Sequence, residues 1–517
     1  MSATRYIQVL LPLKLDWDPV YALPKGLSAS IGDKIEVEFA HKTYTGIVTV
    51  VDVTPEPGLD VKMIETPEQV GGDDTSLPAT ASSSLPAPTG NLCLTFWRQL
   101  ASYYLCTPGE VYKAAAQQSK AKPKKPRKKE SSSSSGLSRE SHPLDLIHSA
   151  FAKGKTVLLQ GQDCESIYQQ LEQETLAKGK SVIHLVPSKK RLLLEPVQNL
   201  GLVIVEDEHD ASYKQDSPAP RFNAREAAIM LAKLHGANVI LGSSTPSLES
   251  LYNAETGLFA KVELKQNLQQ EISIINTAAE THKNGMSGSF SFKLIEEMKR
   301  TLDAGKKVLL VCRVKQVVAE CEEEVRSIFP EAGKDIVLTT PLTIKTIEPS
   351  DFGLIVIHQA DGLLGKEDFR CDERALQFLQ QLSWKAPLVI QTREPKHPVF
   401  KALRDGSNGL AFLEERRACN LPPFTRLVNI VLRDHSQKRI DYMSRLLVTP
   451  DLIGGLQTLG PYTPSYQQDG EFIRIIRITL PKDKLLKPRK TAIFQAIKTF
   501  EKDHKYTGHI VIDVDPV

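Results

Sequence analysis

The chain has 517 residues, 41% hydrophobic and 25% charged, with a net charge of +3, which suits a globular protein of roughly three or four domains rather than a disordered or membrane-embedded one. No apolar run approaches the ~20 residues that cross a bilayer, and the opening MSATRYIQVLLPLKLDWDP carries charges inside its apolar stretch and no cleavage signal, so a cytoplasmic protein without a membrane partner is expected. The seven cysteines (Cys93, Cys106, Cys164, Cys312, Cys321, Cys371 and Cys419) include no C-x-x-C pair, which predicts buried reduced thiols, no disulfide framework and no metal site.

In chain order, residues 5–66 predict a small β-rich unit: YIQVLLPL, KIEVEFA and GIVTVVDV are separated by the turn signals Pro24-Lys25-Gly26 and Ile31-Gly32-Asp33. Residues 67–90 are rich in Pro, Ser, Thr and Gly and read as a disordered insertion. The helical stretch NLCLTFWRQLASYYLCTPGEVYKAAA follows, with a break expected at Pro108-Gly109, and closes a first domain at 1–116. Residues 117–141 form a basic, then serine-rich linker. It holds Lys120, Lys122, Lys124, Lys125, Arg127, Lys128 and Lys129, and removing these seven charges from +3 leaves −4 for the rest of the chain. Such a tether can neutralise several phosphates without reading sequence, or can simply solubilise. From 142 onward, helical patterns alternate with continuous apolar strands such as TVLLQG, LGLVIVED, NVILGS, KVLLVCR, GLIVIHQ and PLVIQT. Strands of this kind belong to parallel sheets covered on both faces. They predict two α/β lobes, at 142–265 and 266–405, and a last α+β unit at 406–517.

The segment LGLVIVEDEHDASYKQ runs a hydrophobic strand into acidic residues. That pattern suits a magnesium ligand and a base for attacking water in an ATPase, and equally suits a solvated turn. The words around it decide: EHDASYKQ, PRFNAR and GSSTPSLES, in this order, resemble the PriA (primosomal protein N′) family of DEAH-type superfamily 2 DNA helicases. The resemblance extends to YIQVLLPL, YALPKGL and YYLCTPGEV, similar to the family's 3′-end DNA-binding domain. It extends also to ADGLLGKEDFRCDERALQ and LVIQTREPKHPV, similar to the second helicase lobe, and to ERRACNLPPFTRL and the closing DVDP, similar to the C-terminal domain. The resemblance implies a multidomain fold with an N-terminal β-rich DNA-binding domain, two RecA-like lobes with parallel sheets and a C-terminal α+β domain. DNA is the implied partner, with single-stranded DNA-binding protein and other primosome components beside it, and Tyr21 and Lys62 match positions lining the family's 3′-end pocket.

The departures from the family concentrate in the motor. A phosphate loop needs glycines, a lysine and a hydroxyl between strand and helix, so that backbone N–H groups and an ammonium hold the phosphates. Here TVLLQG ends at Gly161, the vestige of that loop, and runs into Gln162-Asp163-Cys164-Glu165. Gly154-Lys155-Thr156 and Gly179-Lys180-Ser181 lie after a helix and before a strand, the reverse order, and read as helix-ending turns. The family's Asp-Glu-Glu-His is replaced by Glu206-Asp207-Glu208-His209, and its arginine motif by Leu379-Gln380-Gln381-Leu382-Ser383-Trp384-Lys385-Ala386-Pro387. The zinc-binding cysteines that the resemblance would place after KVLLVCR are missing, the winged-helix module is replaced by the Lys/Ser linker, and the family's Pro-Phe-Gly reads Glu38-Phe39-Ala40. No catalytic residue, no nucleotide-binding residue and no ATP, magnesium or zinc cofactor is therefore expected. The reading is a DNA-binding protein of replication restart that does not hydrolyse ATP. The alternatives are an ATP-dependent 3′→5′ helicase, which whole-chain resemblance alone would imply, and an interaction scaffold that has lost DNA affinity.

Overall fold

The computed structural model describes residues 4–24, 26–56, 61–64, 87–120, 143–187, 194, 197–265, 268–331, 333–365, 368–453, 455–464 and 470–517. The chain divides into two units: Met1–Thr156, Glu165–Leu241 and Phe424–Val517 make the first, and Val157–Cys164 with Gly242–Pro423 the second.

Strands β1 (Arg5–Leu10), β2 (Val20–Leu23), β3 (Lys34–Phe39) and β4 (Lys42–Val51) form an antiparallel sheet in the order β2-β1-β4-β3. Its period-two pattern buries Ile7, Val9, Tyr21, Leu23, Val37 and Val48 together. Helix α1 spans Ala87–Tyr104 and α2 spans Pro108–Lys120, which corrects the sequence reading in three places. Residues 87–90 start a helix rather than ending a disordered insertion, since a proline at 88 is tolerated in a first turn. Pro108-Gly109 begins α2 instead of breaking it. The break is Leu105, at φ +54°, and Thr107 and Glu110 cap α2 reciprocally, with Thr107 N–H to Glu110 Oε2 at 2.8 Å and Glu110 N–H to Thr107 Oγ1 at 3.3 Å. Residues 117–120 continue α2 rather than opening the linker.

Next come α3 (Pro143–Ala152), β5 (Thr156–Gln160), α4 (Glu165–Ala177), β6 (Ser181–Leu185), β7 (Leu200–Val205), α5 (Ala224–His235), β8 (Asn238–Ser243), α6 (Leu248–Glu255) and β9 (Phe259–Glu263). The strand order is β6-β7-β8-β5-β9. The pairs β6–β7 and β7–β8 are parallel, and every residue of β7 is buried, as its unbroken apolar run requires. Gly154 and Gly179 take left-handed φ values of +66° and +68° just past α3 and α4. Both lysine-containing triplets are therefore helix-ending turns.

The chain continues through β10 (Ile272–Asn276), α7 (Thr277–His282), β11 (Met286–Ser287), β12 (Phe290–Ser291), α8 (Phe292–Asp303), β13 (Val308–Val311), α9 (Lys315–Ile328), β14 (Ile336–Thr339), β15 (Leu354–Ile357), α10 (Cys371–Ser383), β16 (Leu388–Thr392), α11 (Pro398–Arg404) and α12 (Phe412–Ala418). Strands β10-β16-β15-β13-β14, in that order, form an all-parallel sheet. One face packs on α10 and α11 through Leu376, Leu379 and Phe400. The other packs on α8 and α9 through Leu294, Met298 and Val325. Last, β17 (Thr425–Asp434), α13 (Gln437–Leu447), β18 (Gln457–Tyr462), β19 (Phe472–Pro481), α14 (Leu486–Asp503) and β20 (His509–Val514) build an antiparallel sheet ordered β18-β19-β17-β20. A β-rich start followed by two five-stranded sheets flanked by helices, parallel in the pairings given, fits RecA-like lobes. Among the described residues no helix is long and apolar enough to cross a membrane.

Candidate nucleotide cleft and nucleic-acid surfaces

The strand-to-helix turn after β5 is closed by the protein's own groups. The Gly161 N–H donates to Ser243 O at 3.1 Å, so the amide that would open a phosphate cradle is already engaged. A Cβ at Gly161 would stand 2.6 Å from Leu264 Cβ; close packing of β5 against the residue after β9 therefore requires the glycine there. The buried Cys164 thiol reaches Gly161 O at 3.6 Å. Asp163 and Glu165 are exposed at the start of α4. Their carboxylates complement the positive end of the helix, the place a phosphate would take.

Beside this turn, within the second unit, lies a cleft of about 320 Å³. It is lined by Gln160, by Ser244 and Thr245 after β8, and by Gln377, Gln380 and Trp384 in or just after α10. These are the stretches where the resemblance places the phosphate loop and the arginine motif. Among the described lining residues there is no lysine or arginine, and the single charge is Glu373. The glutamines of α10 hold backbone and hydroxyl: Gln377 Nε2 donates to Thr245 O at 3.1 Å, and Gln381 Nε2 to Thr245 Oγ1 at 3.0 Å. A cleft with this lining offers hydrogen bonds but no charge for a triphosphate.

The acidic motif follows β7 and is drawn into ion pairs. Glu208, 2% exposed, meets Arg225 of the PRFNAR segment at 2.6 Å. Glu206 lies 3.5 Å from His184 Nε2, and Glu172 sits 2.6 Å from His184 Nδ1. Burial lowers the His184 pKa, but the two flanking carboxylates outweigh it and hold the imidazole above its ordinary value. Asp207 adopts φ +42° at the turn, a conformation aspartate tolerates, and His209 is half-buried.

In the N-terminal sheet the structure brings Tyr21 and Lys62 together around Glu38. Tyr21, 3% exposed, donates its hydroxyl to Glu38 O at 3.0 Å, and burial followed by the Glu38 charge pushes its pKa up to about 12. Lys62 Nζ pairs with Glu38 Oε1 at 3.0 Å. Glu38, standing where the family has proline, thus partly neutralises the cation proposed for DNA. Of the basic segment, Lys120 is the last residue of α2, while Lys122, Lys124, Lys125, Arg127, Lys128 and Lys129 lie outside the described residues.

Sequence reasoning missed what the matching words do for the fold. Glu249 of GSSTPSLES, Arg370 and Glu373 of DFRCDERALQ, and Arg416 of ERRACNLPPF meet in one buried network. Arg416 contacts Glu373 at 2.6 Å and Glu249 at 3.7 Å, Arg370 pairs with Glu249, and Glu373 also accepts from Leu248 N–H at 2.7 Å. Both guanidiniums lie over the Phe369 ring, at 4.7 and 5.0 Å. In the first unit, Lys214 of EHDASYKQ, 4% exposed, pairs with Asp513 of the closing DVDP at 2.6 Å and donates to Val514 O at 2.6 Å. Asp515 accepts from Tyr103 at 2.9 Å and Arg426 at 2.8 Å, joining YYLCTPGEV to the C-terminal segments. The only advance signal was that these words are rich in charge yet flanked by apolar runs.

No family model matches the chain. Among curated proteins, the replication restart protein PriA of Rickettsia felis is 23% identical over 675 aligned positions, covering 99% of this chain and 99% of that protein. With 517 residues here, at least 675 − 517 = 158 of those positions are gaps in this chain. The PriA of Rickettsia conorii is 23% identical and covers 88% of this chain and 91% of its own length. That of Bacillus subtilis is 25% identical over 48% of this chain and 43% of its own length. Among solved structures, RecG bound to a three-way DNA junction matches at 14% identity and TM-score 0.24, over 52% of this chain and 43% of that one. The DUF1998 helicase MrfA matches at 12% identity and TM-score 0.30, over 57% and 53%. Scores at this level carry no weight for the fold.

Proposed function

We propose, on the premise that this chain is a PriA-like member of the helicase family, that it is a DNA-binding protein of replication restart and primosome assembly that does not turn over ATP. The observation that carries the reading is the cleft beside Gly161. Its first amide is spent on Ser243, and among the described lining residues no cation faces it. Loss of an arginine finger alone typically lowers turnover ~10³–10⁵-fold, and here the phosphate-binding loop is gone as well.

DNA contact is assigned to Lys62 of the N-terminal sheet and to the cations Lys120 to Lys129, whereas Tyr21, expected from the sequence to line the same surface, is buried beneath Glu38 and supports it from below. Forked or single-stranded DNA is the substrate class, and single-stranded DNA-binding protein and other primosome components are the candidate partners. With α2 running to Lys120, the first domain reads as 1–120 and the linker as 121–141, followed by lobes at 142–265 and 266–405 and a C-terminal domain at 406–517. Similarity running the full length of a PriA favours one second reading, an active 3′→5′ helicase. Steady-state ATP hydrolysis with and without single-stranded DNA, together with filter binding of forked DNA across a salt series, tests both. Background hydrolysis with salt-sensitive DNA binding is expected. DNA-stimulated hydrolysis would establish the helicase instead, and absence of DNA binding would leave a scaffold.

A further inference from the structure

Three side chains that are far apart in the sequence converge in the interior of the second unit. Cys312 directly follows β13, Cys321 lies in α9, and His358 directly follows β15. The parallel register of β13 and β15 sets Val311 opposite Ile357, and His358 N–H donates to Val311 O at 3.0 Å. Cys312 and His358 therefore leave neighbouring strands side by side, and α9 lowers Cys321 onto them. All three are buried, and their ligand atoms lie within 4.8 Å of one another. Cys321 Sγ is 3.4 Å from His358 Nδ1.

The other side of the imidazole is just as ordered. His358 Nε2 sits 2.9 Å from Ser289 Oγ, and Ser289 donates both its hydroxyl, at 2.9 Å, and its N–H, at 2.8 Å, to Glu324 Oε2. The Phe290 ring stacks on the imidazole at 5.0 Å. Nε2 thus carries the proton and Nδ1 keeps its lone pair; Cys321 Sγ, 3.4 Å from Nδ1 and 4.0 Å from Nε2, stands over the ring, so a rotation of the Cys321 side chain is needed to bring the sulfur round to that lone pair. A ring nitrogen oriented through its partner N–H toward a polar relay ending in a carboxylate is the outer shell found around metal-bound histidines.

We infer that Cys312, Cys321 and His358 Nδ1 form a buried site for a single thiophilic ion, zinc by preference, with Ser289 and Glu324 as its outer shell. Bond lengths of ~2.3 Å to sulfur and ~2.0 Å to nitrogen put tetrahedral ligand atoms about 3.6–3.8 Å apart, close to the sulfur–nitrogen spacing present. Binding replaces the two thiol protons: one Zn²⁺ enters, two H⁺ leave, and the metal with two thiolates and a neutral imidazole carries no net charge. That neutrality suits an interior site, where an unbalanced ion is expensive. Copper(I) shares the taste for sulfur but would leave one negative charge. The fold couples this site to β13, α9 and β15, so loading would accompany folding.

The test uses the full chain, produced with added zinc and, separately, with copper, and its metal measured by plasma mass spectrometry. About one zinc per chain is expected, falling to near zero in Cys321→Ser and His358→Asn and unchanged in Cys419→Ser, whose thiol is exposed. In case the two variants do not fold, the wild-type chain is also reconstituted with Co²⁺, where thiolate-to-cobalt charge-transfer absorption is expected and zinc should abolish it. Copper in place of zinc, less than a tenth of an equivalent of any metal, full zinc retention in Cys321→Ser, or a Cys312–Cys321 disulfide in peptide mapping would each overturn the inference.

Discussion

Replacing Arg416 by methionine is the sharpest probe of the buried network in the second unit. The side chain of Arg416 is 4% exposed and that of Glu373 7%. The substitution keeps apolar volume but removes the 2.6 Å partner of a buried carboxylate. Leaving such a charge unpaired typically costs ~3–5 kcal/mol. Glu373 retains the Leu248 N–H at 2.7 Å and a distant Arg370 at 4.0 Å, so a loss near the lower end, about 3 kcal/mol, is expected. Adding Glu373→Gln removes the orphaned charge while keeping an acceptor for Leu248, and should recover about 1–2 kcal/mol. Trp384 is the sole tryptophan of the second unit, the chain's other two being Trp17 and Trp97. In a Trp17→Phe, Trp97→Phe background its fluorescence during urea unfolding reports that unit. A loss below about 1 kcal/mol in the single variant, or a double variant worse than the single, would refute the assignment of the network as a fold joint.

Glu38→Ala should release Lys62 and tighten binding of forked DNA at low salt, with the logarithmic salt slope steepening by about 0.7–0.9, the value of one further phosphate contact; filter binding across a salt series checks it. Ala40 sits at φ +50° in the β3–β4 turn. Ala40→Gly is expected to raise stability by about 0.5–1 kcal/mol, measured by thermal melting, because glycine takes that conformation without a Cβ clash. The raised pKa of His184 means that the folded state binds its proton more tightly than the unfolded chain does. The stability this provides is complete below the unfolded value near 6.5 and is lost as the pH climbs through the raised folded value. Melting temperature should therefore decline over that interval, and His184→Phe should flatten the decline.

The architecture was legible where a local pattern decides it. LGLVIVED, KVLLVCR and PLVIQT are unbroken apolar runs, and they became interior strands of parallel sheets. The lysine triplets at 154–156 and 179–181 were readable as turns because a glycine after a helix needs left-handed backbone. The break at Leu105 was not legible, since nothing local marks a leucine for φ +54°. Nor was the start of α1 at 87, where proline and glycine suggest a loop although the first helical turn accepts them. The candidate site was half legible. The missing glycines and arginines could be seen, whereas the engagement of Gly161 by Ser243 is a long-range hydrogen bond. The charged words of the resemblance read as motor parts, but Lys214–Asp513 and Glu373–Arg416 join segments distant in the chain and act as buried braces. Cys312, Cys321 and His358 follow no metal-ligand spacing, because parallel strand register and a helix, not a loop, assemble them.

Titration of magnesium-ATP into the intact protein in a calorimeter, alone and with saturating forked DNA, decides whether the cleft beside Gly161 takes a nucleotide. No saturable heat is expected in either case, because the Gly161 amide that opens the turn after β5 is held by Ser243 and the cleft beside it has no ammonium or guanidinium among its described lining residues. Stoichiometric binding of ATP, abolished by filling the cleft with Thr245→Trp, would contradict that expectation.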